Sequence, residues 1–259
     1  EFATILYREM DYNNEAANMQ RASFEAKGIH GVFIPKVYNQ YVSERVLVTE
    51  FVNGIKISKV DELHAAGIDV KEVVSRGTDL ILNQILMNGF FHADPHPGNI
   101  FVTHDNLLCL LDFGMVGIVD HATRENFVEL IEGIVKRDEV MVAKTLIQIT
   151  TWTAHPSMRE FERSVSFFLG KHVYKPLNEV KVGALINDLL DMVTEFRLTI
   201  PSDLYLMIKS VTTIEGIGAM LNPEYDFVDE VKPFMRKVRL QRLNPLRIKD
   251  EMAQTSAQT

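Results

Sequence analysis

An α+β fold, with a small sheet-bearing segment ahead of a larger helical one, is what this sequence predicts. Three observations carry that prediction. Short β-branched and aromatic runs separated by polar turns cluster ahead of residue 53 and return near residues 100–111. Apolar residues at helical spacing dominate the remaining chain. Between the two regions stands Asn53-Gly54, a turn signal just after the last extended run.

Asn13 to Lys27 reads as a helix, with Ala16, Ala17 and Phe24 near one face and Gly28 as its C-terminal cap. Ile29 to Phe51 reads as extended: Val32-Phe33-Ile34-Pro35 and Val46-Leu47-Val48-Thr49 flank a polar turn near Ser43-Glu44-Arg45. Val70 to Asn88 carries a helical stripe (Val70, Val73, Val74, Gly77, Leu80, Ile81, Ile85) that stops at Gly89. Ile100-Phe101-Val102 and Leu107 to Leu111 form a strand pair around His104-Asp105-Asn106. Phe127, Leu130, Ile131, Ile134 and Val135 recur at core-facing helical positions, as do Met158, Phe161, Val165 and Phe168. Pro201 opens a further helix with Leu204, Met207, Ile208 and Val211 on one side.

The 259 residues and 46% hydrophobic content suffice to bury the core of one large domain or two lobes. A net charge of −8 excludes a general nucleic-acid binder, which needs surplus Lys and Arg against phosphate. The single cysteine, Cys109, excludes an internal disulfide and sits in an apolar run as a small core residue. Low cysteine use fits a reducing compartment. No signal peptide and no run of about 18 uninterrupted apolar residues is present. The opening Glu1-Phe2-Ala3-Thr4 lacks an initiator Met, and the chain is expected to be a fragment.

The most informative stretch is residues 92–114, His-Ala-Asp-Pro-His-Pro-Gly-Asn followed by a hairpin and Leu-Asp-Phe-Gly. Phosphoryl transfer asks a protein mainly for positioning and neutralisation of phosphate charge. A carboxylate, Asp94, can accept a proton from the attacking oxygen. An amide oxygen, Asn99, and a second carboxylate, Asp112, can hold Mg²⁺, whose hard character selects oxygen ligands. The hairpin folds Asp112 back beside Asn99. Gly114 is expected to let the backbone turn sharply after Asp112. Pro95 and Pro97 fix the loop. His92 and His96 are the wrong ligand type for a Mg-nucleotide site, and His92 is expected to pack under the loop and orient it.

These motifs resemble the UbiB/AarF family of atypical, protein-kinase-like proteins, linked to ubiquinone and other prenyl-lipid metabolism. Two more segments are similar: Glu9-Met-Asp11-Tyr-Asn-Asn-Glu15 to the family's Glu-x-Asp motif with its following helix, and Thr213-Ile-Glu215-Gly216 through Pro223 to its late helix. The resemblance implies a two-lobe fold. Residues 1–52 would be a truncated small lobe with a few strands and one helix, ending at the hinge. Residues 53–259 would be a large, mostly helical lobe with the catalytic loop, the metal-binding hairpin and a basic tail over 232–249.

It implies ATP and Mg²⁺ as cofactors. Asp94 is then catalytic, and Asn99 and Asp112 are metal ligands. Glu15 is the helix partner of a nucleotide-binding Lys, and the hinge backbone at Glu50 and Val52 faces adenine. Glu9 and Asp11 would face a family-specific N-terminal extension that occludes protein substrates. No Lys precedes Glu15. The phosphate loop, the Lys strand and the extension are expected to be missing, so the fragment itself is expected to bind ATP weakly or not at all.

The expected function is an ATP- and Mg-binding atypical kinase or ATPase supporting ubiquinone or other prenyl-lipid biosynthesis. A small-molecule kinase of the aminoglycoside or choline type is one alternative. A catalytically silent nucleotide- or lipid-binding scaffold is the other. Expected partners are a nucleotide, a prenyl lipid or anionic membrane surface, and lipid-biosynthesis enzymes, with no nucleic acid. The expected location is cytoplasmic, peripheral at the inner membrane. Seven Lys and Arg residues from Lys232 to Lys249, with no Asp or Glu among them, would supply the lipid-facing charge or a solvated helix face.

Overall fold

The computed structural model describes residues 11–153, 156–173 and 182–242. Helix α1, Tyr12–Glu25, begins at Asp11, whose carboxylate accepts the N–H of Asn13. It ends two residues short of the expected Lys27, in a 3-10 turn over Ala26–Gly28. Its buried face is Ala16, Met19 and Ala22. Phe24, expected on that face, is 70% exposed, and Ala17 is exposed too. At ~100° per residue both positions rotate away from the arc that Met19 and Ala22 occupy. The Phe24 ring is covered instead by Lys27, 5.1 Å from its centroid. Gly28 is not the left-handed residue after this helix; Gly31, at φ 76°, is.

Only Val32–Phe33, β1, becomes a regular strand in the first extended region. Pro35 lacks a ladder donor, and a 3-10 turn at Asn39–Tyr41 breaks the ribbon's tip. Val46 to Thr49 is therefore not a strand. It is tied to the ribbon by single pairings, Val37 with Thr49 and Ser43 with Val46.

After β2, Gly54–Lys56, and a short helix α2, Val60–Ala65, comes α3, Val70–Leu82. It starts at Asp69, which accepts the N–H groups of Lys71 and Glu72. Asn83–Asn88 continues it as a π-helical turn, closed by Gly89 at φ 69°. A Cβ at Gly89 would lie 2.6 Å from the Val119 carbonyl, so both the turn and the space demand glycine.

Strands β3, Phe90–His92, β4, Ile100–Thr103, β5, Leu108–Leu110, and β6, Val116–Ile118, follow. The order of the main sheet is β1-β5-β4-β2. The β4–β5 hairpin pairs Ile100 with Leu110 and turns through Asn106, at φ 61°. Strand β1 runs parallel to β5, Val32 opposite Leu108. The sheet thus takes strands from both sides of Asn53-Gly54. Separately, β3 pairs antiparallel with β6, Phe90 opposite Ile118 and His92 opposite Val116.

The rest is mainly helical: α4 (His121–Lys136), α5 (Glu139–Ile149), α6 (Met158–His172), α7 (Val182–Glu195), α8 (Ser202–Leu221) and α9 (Phe227–Arg242), with β7 (Thr151–Trp152) pairing β8 (Leu198–Thr199). In α4 the buried residues are Phe127, Val128, Leu130 and Gly133, while Val135 is 60% exposed, opposite to expectation. The expected faces of α6 and α8 are buried as read, except that Met158 is only partly so. Helix α8 is long and apolar enough by length and composition to cross a membrane. Here it is a core helix: Leu204, Met207, Val211, Ile214 and Leu221 are buried, and Ile214 meets α3 at Gly77.

Candidate active site

Two loops join the same two ladders. Ala93 to Asn99 runs from β3 to β4, and Leu111 to Met115 returns from β5 to β6. Because β3 pairs with β6 and β4 with β5, the two loops must lie side by side. Backbone bonds zip them at both ends. Leu111 N–H donates to the Asn99 carbonyl at 2.8 Å, and Ala93 N–H to the Met115 carbonyl at 3.1 Å. Asn99 Nδ2 then donates to Asp112 Oδ2 at 2.9 Å. Residues separated in sequence therefore present one oxygen-rich corner, at the exposed side chain of Asp112.

Asp112 itself makes the sharp turn, at φ 57°. That conformation is uncommon for a side-chain-bearing residue, although Asp tolerates it better than most. Gly114, expected to supply the turn, does not have a positive φ. It brings its N–H to Asp112 Oδ1 at 3.3 Å, where an added Cβ would also press.

His92 lies beneath the loop, 1% exposed, its ring 4.9 Å from that of Phe113. Its Nδ1 accepts the N–H of Asp94 at 3.2 Å, so the proton sits on Nε2, which donates to the Leu111 carbonyl at 3.3 Å. One imidazole thus spans both loops. Burial pushes its pKa below the ordinary value and keeps it neutral. Its backbone is held as well: its N–H donates to Gln84 Oε1 at 3.1 Å, and its carbonyl accepts Ser210 Oγ at 2.8 Å. Gln84 belongs to the π-helical turn, the kind of local irregularity that recurs at functional sites. His96 bonds within the loop, its Nδ1 accepting Gly98 N–H at 3.0 Å.

Asp94 is half-buried, and its Oδ1 stands 3.2 Å from Nζ of Lys209 on α8. Glu15, on α1, accepts the N–H of Phe113 at 3.1 Å, and Asn18 donates to the Phe113 carbonyl at 2.9 Å. Burial, and secondarily the charge of Asp112, push the Glu15 carboxyl above its ordinary range. Asp11 caps α1 as described; Glu9 lies outside the described residues.

At the expected hinge, Glu50 N–H donates to the Lys36 carbonyl at 2.8 Å. Lys36 N–H goes to the Glu50 side chain at 3.2 Å, where a regular ladder would use the Glu50 carbonyl. That carbonyl accepts no backbone N–H among the described residues. Val52 is partly exposed, next to Phe51 at 88%. In the late motif, Glu215 accepts the N–H groups of Val182 and Gly183 at the start of α7, and burial raises its pKa. Of the basic tail, Lys232 pairs with Asp229 at 2.5 Å, Arg236 is exposed, and the part beyond residue 242 lies outside the described residues.

Among the described residues no three His, Cys, Asp or Glu side chains converge on a metal position. The donor set present, one carboxylate and one amide, suits Mg²⁺. That ion keeps waters and takes substrate phosphates alongside one or two protein oxygens.

The sequence reading missed Lys209, Gln84, Ser210 and the bonding role of Asn18. One signal was available for Lys209: no Lys or Arg occurs between Arg76 and Arg124, so any cation at this site must come from a distant element.

Paired loops, an Asp-x-x-x-x-Asn segment, an Asp-Phe-Gly turn and a helix Glu touching that turn define a protein-kinase-like core. The family model described as "ABC1 atypical kinase-like domain" matches residues 1–146, and the UbiB helical domain model matches residues 165–226. The chain belongs to the ABC1 atypical kinase-like family. Protein ACTIVITY OF BC1 COMPLEX KINASE 7, chloroplastic, of Arabidopsis thaliana is 35% identical over 239 residues, covering 92% of this chain and 34% of that protein. An uncharacterized Synechocystis protein is 31% identical, covering 92% of this chain and 41% of its own length. The chain thus spans 33% to 42% of the length of these curated relatives. A solved structure of Rv3197 from Mycobacterium tuberculosis, in complex with erythromycin, aligns with a TM-score of 0.57 at 16% identity. It covers 87% of this chain and 57% of that one, a likeness of fold.

Proposed function

We propose that the protein of which this chain forms part binds Mg-ATP and transfers or hydrolyses its terminal phosphoryl group, in support of ubiquinone or other prenyl-lipid biosynthesis. The observation that carries the reading is the convergence of Asp94, Asn99 and Asp112 on two loops locked together by His92. Asp94 accepts the proton of the attacking water or hydroxyl. Asn99 and Asp112 hold Mg²⁺, which when bound neutralises phosphate charge. The Glu50 carbonyl and the Val52 backbone are the adenine contacts. The lipid link rests on the family resemblance. Contact with a membrane surface would run through the basic residues from 232 to 249.

The test is phosphate release from Mg-ATP by the full-length protein against Asp112→Asn. The variant is expected to lose at least about 100-fold, as removal of a principal charge-stabilising group does. Equal hydrolysis by both proteins sinks the enzymatic reading and leaves a binding scaffold. Efficient phosphorylation of soluble amines or sugars would redirect the reading to a small-molecule kinase.

A further inference from the structure

We propose that Lys209 binds the terminal phosphate of the nucleoside triphosphate beside Asp94, as the cation that the catalytic loop itself lacks. The inference rests on the Mg-ATP reading of the site and adds a residue to it.

Charge sets the need for such a cation. Asp94, Asp112 and Glu15 put three carboxyl groups around the two loops. A triphosphate adds several more negative charges to that region, and phosphoryl transfer depends on compensating them. The loops contain no Lys or Arg, nor does any residue from 77 to 123. The flanking cations are engaged elsewhere: Arg76 with Glu72 and the Asn106 carbonyl, Arg124 with the Met87 carbonyl. Lys209 is the single Lys or Arg of α8. It stands on a core helix whose other charged residues are the acidic Asp203 and Glu215, with its ammonium 3.2 Å from Asp94 Oδ1.

Its placement is built in by the fold. The neighbouring Ser210 is fully buried and bonds the carbonyl of His92, two residues before Asp94. Helix α8 is thereby registered against the loop, and Lys209 follows that registration. The side chain is only partly covered, at 36% relative exposure, and can turn from the carboxylate toward a ligand. An ammonium so close to the residue that takes the acceptor's proton is also close to the phosphorus being attacked. Reacting atoms sit about 3–3.5 Å apart before transfer.

In the step itself, the bond from the terminal phosphorus to its bridging oxygen breaks. The bridging oxygen leaves on the nucleoside diphosphate with the electron pair. A new bond forms from phosphorus to the oxygen of water or an acceptor hydroxyl, whose proton passes to Asp94. Lys209 contacts the non-bridging oxygens throughout.

The rival role for Lys209 is to hold Asp94 still. The discriminating measurement is the ratio of Mg-ATP to Mg-ADP affinity, because ADP lacks the phosphate in question. It should be made in the full-length protein, in Lys209→Met and Lys209→Arg, and again in an Asp94→Asn background. Lys209→Met is expected to lower the ATP/ADP ratio about 10- to 100-fold, the size of a lost charge-assisted hydrogen bond. Lys209→Arg should restore most of it, and the loss should persist when residue 94 is Asn.

An unchanged ratio in Lys209→Met, or a loss that disappears in the Asp94→Asn background, overturns the proposal while leaving the Mg-ATP site standing. A wild-type protein that binds neither nucleotide overturns the site and this residue's role together. Should Lys209→Met not fold, Lys209→Gln keeps the length of a polar side chain without the charge and reads the same ratio.

Discussion

The carboxylate of Glu15 accepts the backbone N–H of Phe113 although 98 residues separate them. Three residues further along the same helix, Asn18 takes the Phe113 carbonyl. Helix α1 thus satisfies both backbone polar groups of the residue next to Asp112. Glu15→Ala should cost about 1–2 kcal/mol, because it strands a partly buried N–H. Chemical denaturation should show that loss, while Glu15→Gln, which keeps an acceptor oxygen, should lose less. Equal stability of Glu15→Ala and wild type would remove the contact's energetic role.

His92 gives the protein an acid-sensitive point. Its folded pKa lies below the ordinary 6.5, so as pH falls the unfolded chain takes up the proton first. The stability contributed by neutral His92 is present above pH 6.5 and is lost as pH falls through the lowered folded value. Melting temperature should therefore decline below that pH. His92→Gln, which can still accept from Asp94 N–H and donate to Leu111, should flatten that part of the profile. Parallel profiles for the two proteins would refute the assignment.

Glu215 works in the opposite sense. Burial raises its folded pKa above the ordinary 4.5, so its contribution is complete below pH 4.5 and is lost as pH rises through the folded value. Glu215→Gln keeps an acceptor oxygen for Val182 and Gly183. The melting temperature of the variant minus that of wild type should grow from pH 4 to pH 7. A difference that is constant with pH would show that Glu215 titrates as it does unfolded.

Gly117 pairs with Phe91 between β3 and β6, and a Cβ there would land in the Phe91 ring. Gly117→Ala should destabilise by about 1–3 kcal/mol, the usual cost of overpacking a core. Shrinking the ring with Phe91→Leu should recover part of that loss in the double variant. Full additivity of the two single losses would contradict a shared clash.

The residues of the 92–114 motif were legible because their chemistry is unusual and their spacing fixed. The hairpin, the π-extended helix ending at Gly89 and the faces of α6 and α8 followed from periodicity and turn residues. What escaped was set by partners far away in sequence. Phe24 looked like a core residue until the angle between Ala16 and Met19 placed it outward. Val46 to Thr49 has strand composition, but Pro35 and the turn at Asn39 deny it a continuous ladder. Gly114 looked like the turn residue, yet Asp112 adopts the left-handed conformation and uses its own carboxylate to hold Gly114. Lys209 carries no local motif. Only the packing of α8 beneath His92 brings it to Asp94.

The parallel pairing of Val32 with Leu108 sets an order on the making of this protein. A nascent chain cannot complete its four-stranded sheet when β1 leaves the ribosome, because the strand that β1 lies against is more than 70 residues behind it. Synthesis must pass β5 before β1 has its neighbour, and that same moment brings Asp112 into reach of Asn99. Closure of the sheet and the meeting of Asn99 with Asp112 thus depend on the same stretch of chain, and β1 joins it through a contact of long sequence separation, the kind that slows folding. Until then Phe33 remains without the strand neighbour it has in the finished sheet, an interval in which a folding helper has apolar surface to hold.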